Sequence, residues 1–128
     1  MADGAPYRSL RYQVEGPVAT VTLDRPERGN GITLEMPREL AECVEEANLD
    51  RAVHAIALAG EGKGFCGGYD LVEFAEREVP NHDPSEPWDP VLDWQMMSRN
   101  LRGFMSLFHS DKPVLCKVHG FCVAGGTD

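Results

Sequence analysis

Two glycine-rich stretches hold the residues best suited to chemistry. The first is Gly60-Glu61-Gly62-Lys63-Gly64-Phe65-Cys66-Gly67-Gly68-Tyr69-Asp70-Leu71, with five glycines among residues 60–68. It follows Ala55-Ile56-Ala57-Leu58-Ala59, an apolar run of buried-strand type. The second is His119-Gly120-Phe121-Cys122-Val123-Ala124-Gly125-Gly126, and it too follows an apolar run, Pro113 to Val118. Glycine lets the chain turn sharply and leaves peptide N–H groups unshielded by side chains. A bare N–H at the tip of such a loop can donate to an oxygen carrying negative charge. Two strand-then-glycine units suggest two donors brought to one point.

Other readings of the same residues fail on context. Gly62-Lys63-Gly64-Phe65-Cys66-Gly67 fits G-x-G-x-x-G. A dinucleotide site also needs an acid at the end of a strand about twenty residues on. There the chain reads Pro80-Asn81-His82-Asp83-Pro84-Ser85-Glu86-Pro87, which cannot be a strand interior. His82 and Asp83 could be imagined as metal ligands, but the neighbouring sequence does not complete a ligand set, so a solvated loop is the expected reading and no metal is expected. His54 reads as a surface or satisfied histidine, His109 as a helix-end cation and His119 as a strand-end hydrogen-bonding group.

The elements that must position these loops follow from periodicity. Tyr7–Val14 and Val18–Leu23 read as a β-hairpin turning at Gly16-Pro17. Asp24 to Gly31 is a polar loop with turn residues. Thr33 can cap a helix running to about Asn48, with Met36, Leu40, Cys43, Val44 and Ala47 on its core face. Leu71 to about Glu78 reads as a short helix, and residues 79–90 as a proline-rich acidic loop. Val91 to His109 has an apolar stripe of Trp94, Met97, Leu101, Phe104 and Phe108 at helical spacing, expected to be core. Trp88 and Trp94 read as core and edge aromatics. The two long connections suit crossovers in a parallel sheet, so the expected fold class is α/β.

Composition narrows the function. At 128 residues the chain is one domain by size. Its net charge of −9 argues against a nucleic-acid partner. Much of that charge lies between Asp70 and Asp93, where eight acids face one base, Arg77; a solvated segment explains it. The apolar runs are too short to span a membrane, and the N-terminus lacks signal-peptide features. Cys43, Cys66, Cys116 and Cys122 form no C-x-x-C pair, which points to a reduced, cytoplasmic chain.

Phe65-Cys66-Gly67-Gly68-Tyr69-Asp70-Leu71 and His119 to Gly126 resemble the two signature segments of the crotonase (enoyl-CoA hydratase/isomerase) superfamily, and Val21-Thr22-Leu23-Asp24-Arg25-Pro26-Glu27 resembles its first strand and turn. The resemblance runs from about residue 12 to the last residue. It implies a ββα spiral of which residues 1–128 form a partial, N-terminal portion, ending after the strand and turn that lead to the second oxyanion-hole helix. It implies an acyl-CoA substrate, with coenzyme A as part of the substrate and no separate cofactor. The backbone N–H groups of Tyr69 and Gly125 would stabilise the thioester oxyanion. Asp128 stands where hydratases carry a catalytic glutamate; a helix-terminal acid that complements the dipole is the other reading. Arg25, Arg28, Lys63, Gly67 and Asp70 are the expected CoA contacts, and Met97 or Leu101 could touch the acyl chain.

Several functions remain open on that reading. The first is an enoyl-CoA hydratase, a lyase of fatty acid metabolism adding water to a 2-enoyl thioester. A non-catalytic CoA-binding module or a subunit of a split protein is the alternative, with an isomerase or acyl-CoA hydrolase as a further one. The family implies a homo-oligomer, trimeric or hexameric, or assembly with a separate C-terminal half.

Overall fold

The computed structural model describes residues 7–76 and 83–128. Four strands form one sheet: β1 (Leu10–Glu15), β2 (Val18–Leu23), β3 (Ala55–Gly60) and β4 (Val114–Lys117), in that spatial order. β1 and β2 are the expected antiparallel hairpin, with Gly16 at φ +55° in its turn. β3 runs parallel to β2, and β4 parallel to β3. The crossovers carry α1 (Met36–Leu49) and α2 (Pro90–Met105).

The register places side chains in rows across the sheet. Ala19, Ile56 and Val114 form one row; Val21, Leu58 and Cys116 form the next. α1 packs on this face with Met36, Leu40, Cys43, Val44 and Ala47, all buried as the helical spacing requires. Thr33 opens the helix, its hydroxyl accepting the Met36 N–H at 3.2 Å. Lys112 closes it from a distant segment, its Nζ donating to the carbonyls of Ala47 (2.6 Å) and Asp50 (2.5 Å). Glu39 is buried in α1 and accepts the N–H groups of Arg8 and Ser9 and the Ser9 hydroxyl, which fastens the N-terminal segment to the helix.

Burial fades along each row. Ala19 and Ile56 are fully enclosed, whereas Val114 is only partly covered; Val21 is enclosed and Cys116 is exposed. The core therefore lies under β2 and β3, with Leu10 the buried residue of β1.

Two expectations are corrected here. The stripe on α2 is not core: Trp94 (67%), Met97, Leu101 and Phe108 (78%) are exposed, and only Phe104 packs against the core. The helix is amphipathic as its spacing implies, but nothing among the described residues covers its apolar face. Trp88 is likewise exposed, and its indole N–H donates to Asp93 at 2.7 Å. The short helix expected from Leu71 is present over its described part, as a π-helical turn at Val72–Glu76. Arg77, Pro80 and His82, and the start of the proline-rich loop at residue 79, lie outside the described residues. No helix among the described residues is long and apolar enough to cross a membrane.

Candidate functional site

The site is built from three loops at one end of the sheet, where the parallel strands β2, β3 and β4 finish. The first follows β2, and Asn30 is its centre. Asn30 is fully buried and sits at φ +53°, a conformation that asparagine tolerates better than most residues. Its Nδ2 donates to the carbonyls of Glu61, Gly64 and Phe65, at 2.8–3.0 Å. Its Oδ1 accepts the Arg25 N–H at 2.9 Å, and its own carbonyl accepts the Cys66 thiol at 3.2 Å. One side chain thus joins the loop after β2 to the loop after β3. The sequence reading placed Asn30 only in a polar loop. The signal available was the run Gly29-Asn30-Gly31, which suits left-handed backbone.

Asp70 makes a second connection between the same loops. Its carboxylate is 3% exposed and lies 3.0 Å from the guanidinium groups of both Arg25 and Arg28. It also accepts the Val72 N–H at 3.0 Å. The hydrogen bond from Arg28 holds this carboxyl far below the usual carboxylate range against the opposing effect of burial, with Arg25 adding to it. Arg28 is shifted upward by the same contact. Of the expected CoA contacts, Arg25 (18% exposed) is committed to Asp70 and to the Gly31 carbonyl at 2.7 Å, while Arg28 (44%) keeps an open flank. Lys63 and Gly67 are exposed, and the Gly67 N–H donates to Gly29 O at 2.9 Å.

The two glycine-rich stretches lie side by side. Cys66 and Cys122 pair as a parallel bridge. Phe65 N–H donates to Phe121 O at 2.9 Å, and Val123 N–H donates to Cys66 O at 3.0 Å. His119 contributes as expected, its Nε2 lying 2.8 Å from the Gly62 carbonyl; since a carbonyl only accepts, the ring nitrogen is the donor. The Phe121 ring fills the space that a side chain at Gly64 would need.

Tyr69 and Gly125 are thereby brought together. Gly68 sits at φ +89°, and a Cβ there would lie 3.4 Å from the Gly125 nitrogen. A Cβ on Gly125 would lie 3.0 Å from the Tyr69 ring. The Ile32–Tyr69 bridge uses the Gly68 carbonyl and the Asp70 N–H, so it leaves the Tyr69 N–H aside. Among the described residues, no acceptor takes up the N–H of Tyr69 or of Gly125. Gly125 lies in the first turn of a short 3-10 segment, Ala124–Thr127, where N–H groups lack intrahelical partners. Ala124, at φ +47°, carries strained backbone at the same point.

Tyr69 also uses its ring. The ring stands edge-on to Phe74, with centroids 4.9 Å apart. Burial raises the phenol pKa, and the side chain of Asn100 on α2 acts in the opposite direction. Asn100 is 6% exposed, and its Nδ2 has no hydrogen-bond partner among the described residues.

A cavity of about 570 Å³ opens beside this junction, lined by Gly125, Thr127 and Asp128 on one wall and by Phe104 and Phe108 on another. Leu58 and Cys66 are among its apolar lining. Asp128 is exposed and near enough to Tyr69 for its charge to act on the phenol. Met97 and Leu101 do not line this cavity. Burial pushes the Cys66 thiol up, which keeps it protonated. Among the described residues, no group of three or more His, Cys, Asp or Glu side chains is placed to hold a metal.

Comparison with known proteins adds a second line of argument. Residues 13–128 match the profile of a family described as enoyl-CoA hydratase/isomerase. Among curated relatives, the 1,2-epoxyphenylacetyl-CoA isomerase of Escherichia coli is 36% identical over 115 residues, covering 88% of this chain and 40% of that protein. The mitochondrial Delta(3,5)-Delta(2,4)-dienoyl-CoA isomerase of Rattus norvegicus is 33% identical over 116 residues, covering 87% of this chain and 34% of that protein. A crystal structure of an enoyl-CoA hydratase from Mycobacterium smegmatis superposes with a TM-score of 0.82 at 50% identity, covering 94% of this chain and 43% of that one. The chain spans about 40% of the length of the relatives it matches.

Proposed function

The chain belongs to the enoyl-CoA hydratase/isomerase family, and from that premise we propose that it binds a CoA thioester and polarises the thioester carbonyl between the N–H groups of Tyr69 and Gly125. The observation that carries this reading is the close approach of the two loops, a Gly68 Cβ reaching 3.4 Å from the Gly125 nitrogen, with the N–H groups of Tyr69 and Gly125 unclaimed among the described residues. A carbonyl seated there gains negative charge as the α-carbon or β-carbon reacts, and fixed dipoles stabilise that charge without reorganising. The N-terminal turn at Ala124–Thr127 adds its own unpaired N–H groups to the field.

The remaining roles follow. Arg28 and Lys63 supply positive charge for the CoA phosphates. Arg25 and Asp70 hold the loop that carries Arg28, and Gly67 gives the backbone room for close approach. Asp128 moves the proton in hydration of a 2-enoyl thioester; its side chain is shorter than glutamate by about 1.5 Å, so an intervening water completes the reach. CoA binding without turnover is the second reading. The observation favouring it is Asp128 itself, exposed at the cavity wall rather than enclosed beside the two donors.

Calorimetry with CoA and a crotonyl-CoA hydration assay separate the two. Binding with hydration supports the enzyme, binding alone supports the module, and no binding by folded chain removes both. Gly125→Pro deletes one N–H, and a loss of about 100-fold or more in rate is expected. Gly125→Ala retains that N–H and controls for added bulk against the Tyr69 ring. Equal losses in the two variants would remove the donor role.

A further inference from the structure

Tyr69 is larger than its backbone role requires, and its ring is held on several sides. A Cβ on Gly125 would press on ring atoms Cδ2 and Cε2 at 3.0 Å, so the ring packs closely on this glycine. Ile32 closes in beside that contact, its Cδ1 lying 3.2 Å from the position of a Gly125 Cβ. Phe74 stands perpendicular to the ring at an interplanar angle of 81°. Asn100 on α2 is enclosed by protein, with an Nδ2 donor that no described residue claims. A buried amide donor left unmade is unfavourable, so an asparagine in this position calls for a partner. The Tyr69 phenol is near enough for the Asn100 side chain to act on it, and the unclaimed donor is free to close on its oxygen.

We propose that Tyr69 serves the site with its side chain as well as its amide: the ring is a spacer that sets the separation of the Tyr69 and Gly125 N–H groups, and Asn100 is the positioning residue that holds the ring by its hydroxyl. The connection then runs from α2 through Asn100 and the ring to the glycine that carries the second donor. It rests on the functional reading above. A spacer matters because an N–H stabilises an oxyanion only within hydrogen-bond reach of that atom. Removing the ring lets the second loop settle toward the first and spoils the pair for one oxygen.

Cinnamoyl-CoA tests this with the full chain. Its conjugated thioester absorbs at longer wavelength when its carbonyl is polarised, so the red shift reports donor placement while titration reports affinity. Tyr69→Ala is expected to lose at least half of the shift with less than about a three-fold change in Kd, since the CoA contacts remain. Tyr69→Phe and Asn100→Leu are each expected to lose a smaller part, and the double variant no more than either single one, the mark of two groups acting through one contact. If Tyr69→Ala fails to fold, Tyr69→Phe keeps the ring and carries the comparison with Asn100→Leu. A full shift in Tyr69→Ala, or additive losses in the double variant, overturns the spacer and leaves the functional reading standing. Absence of any bound spectrum in the unaltered chain overturns the functional reading, and the spacer with it.

Discussion

The side chain of Asn30 carries more of the site's geometry than either donor residue. Its amide ties three carbonyls from residues 61–65 to a backbone that runs at positive φ. Asn30→Ala removes those bonds and adds the cost of left-handed backbone, so a loss of about 3–5 kcal/mol is expected by urea denaturation. Asn30→Gly relieves the backbone and should recover about 1 kcal/mol of it. Equal losses would mean that φ contributes nothing there. Asp70 gives a prediction in pH. Its folded pKa is depressed, chiefly by Arg28. An unfolded aspartate titrates near about 3.9, so its stabilising contribution is complete above that pH and is lost as the pH falls toward the folded value. Asp70→Asn should lower stability at neutral pH by about 3 kcal/mol, because Arg25 and Arg28 lose their shared anion, and should flatten the acid limb of the stability curve. An unchanged slope below pH 4 would remove Asp70 as its source. At this scale the sequence disclosed which residues are present, with Arg25, Arg28, Asp70, Tyr69 and Gly125 all singled out. It did not disclose that Asp70 takes both arginines, because residues 25 and 70 meet only after the sheet has formed.

Elements divide by what covers them. The hairpin and α1 were legible because their patterns are answered by contacts within the described chain: Met36, Leu40 and Val44 face Ala19, Val21 and Ile56. The apolar stripe of α2 has the same kind of pattern, but periodicity states only that a face is apolar. It carries no information about what lies opposite, and here Trp94 and Leu101 stand open. The end of α1 was legible to within a residue, about Asn48 against Leu49, but not what closes it, since that group comes from Lys112, more than sixty residues beyond Ala47. Lys112→Met should cost about 2 kcal/mol by releasing two carbonyls from a charged donor. Circular dichroism should show the loss confined to helix, and an unaltered melting curve would rule out a capping role.

Across the whole molecule, burial is greatest at β2 and declines through β3 to β4, while the candidate site forms at the thinly covered side. The sheet supplies a firm centre, and the loops that leave β2, β3 and β4 share hydrogen bonds with one another. Cys66 and Cys122 stand in register, and the amides of Phe65, Cys66 and Val123 all donate across that seam. Protons at these three positions are therefore locked by one closure. Transferred to heavy water, they should trade for deuterium at a common opening free energy, although two of them precede Tyr69 and the third lies more than fifty residues later. Mass spectra of peptides from the two segments would then gain mass in step, and any ligand that seals the seam should delay both together.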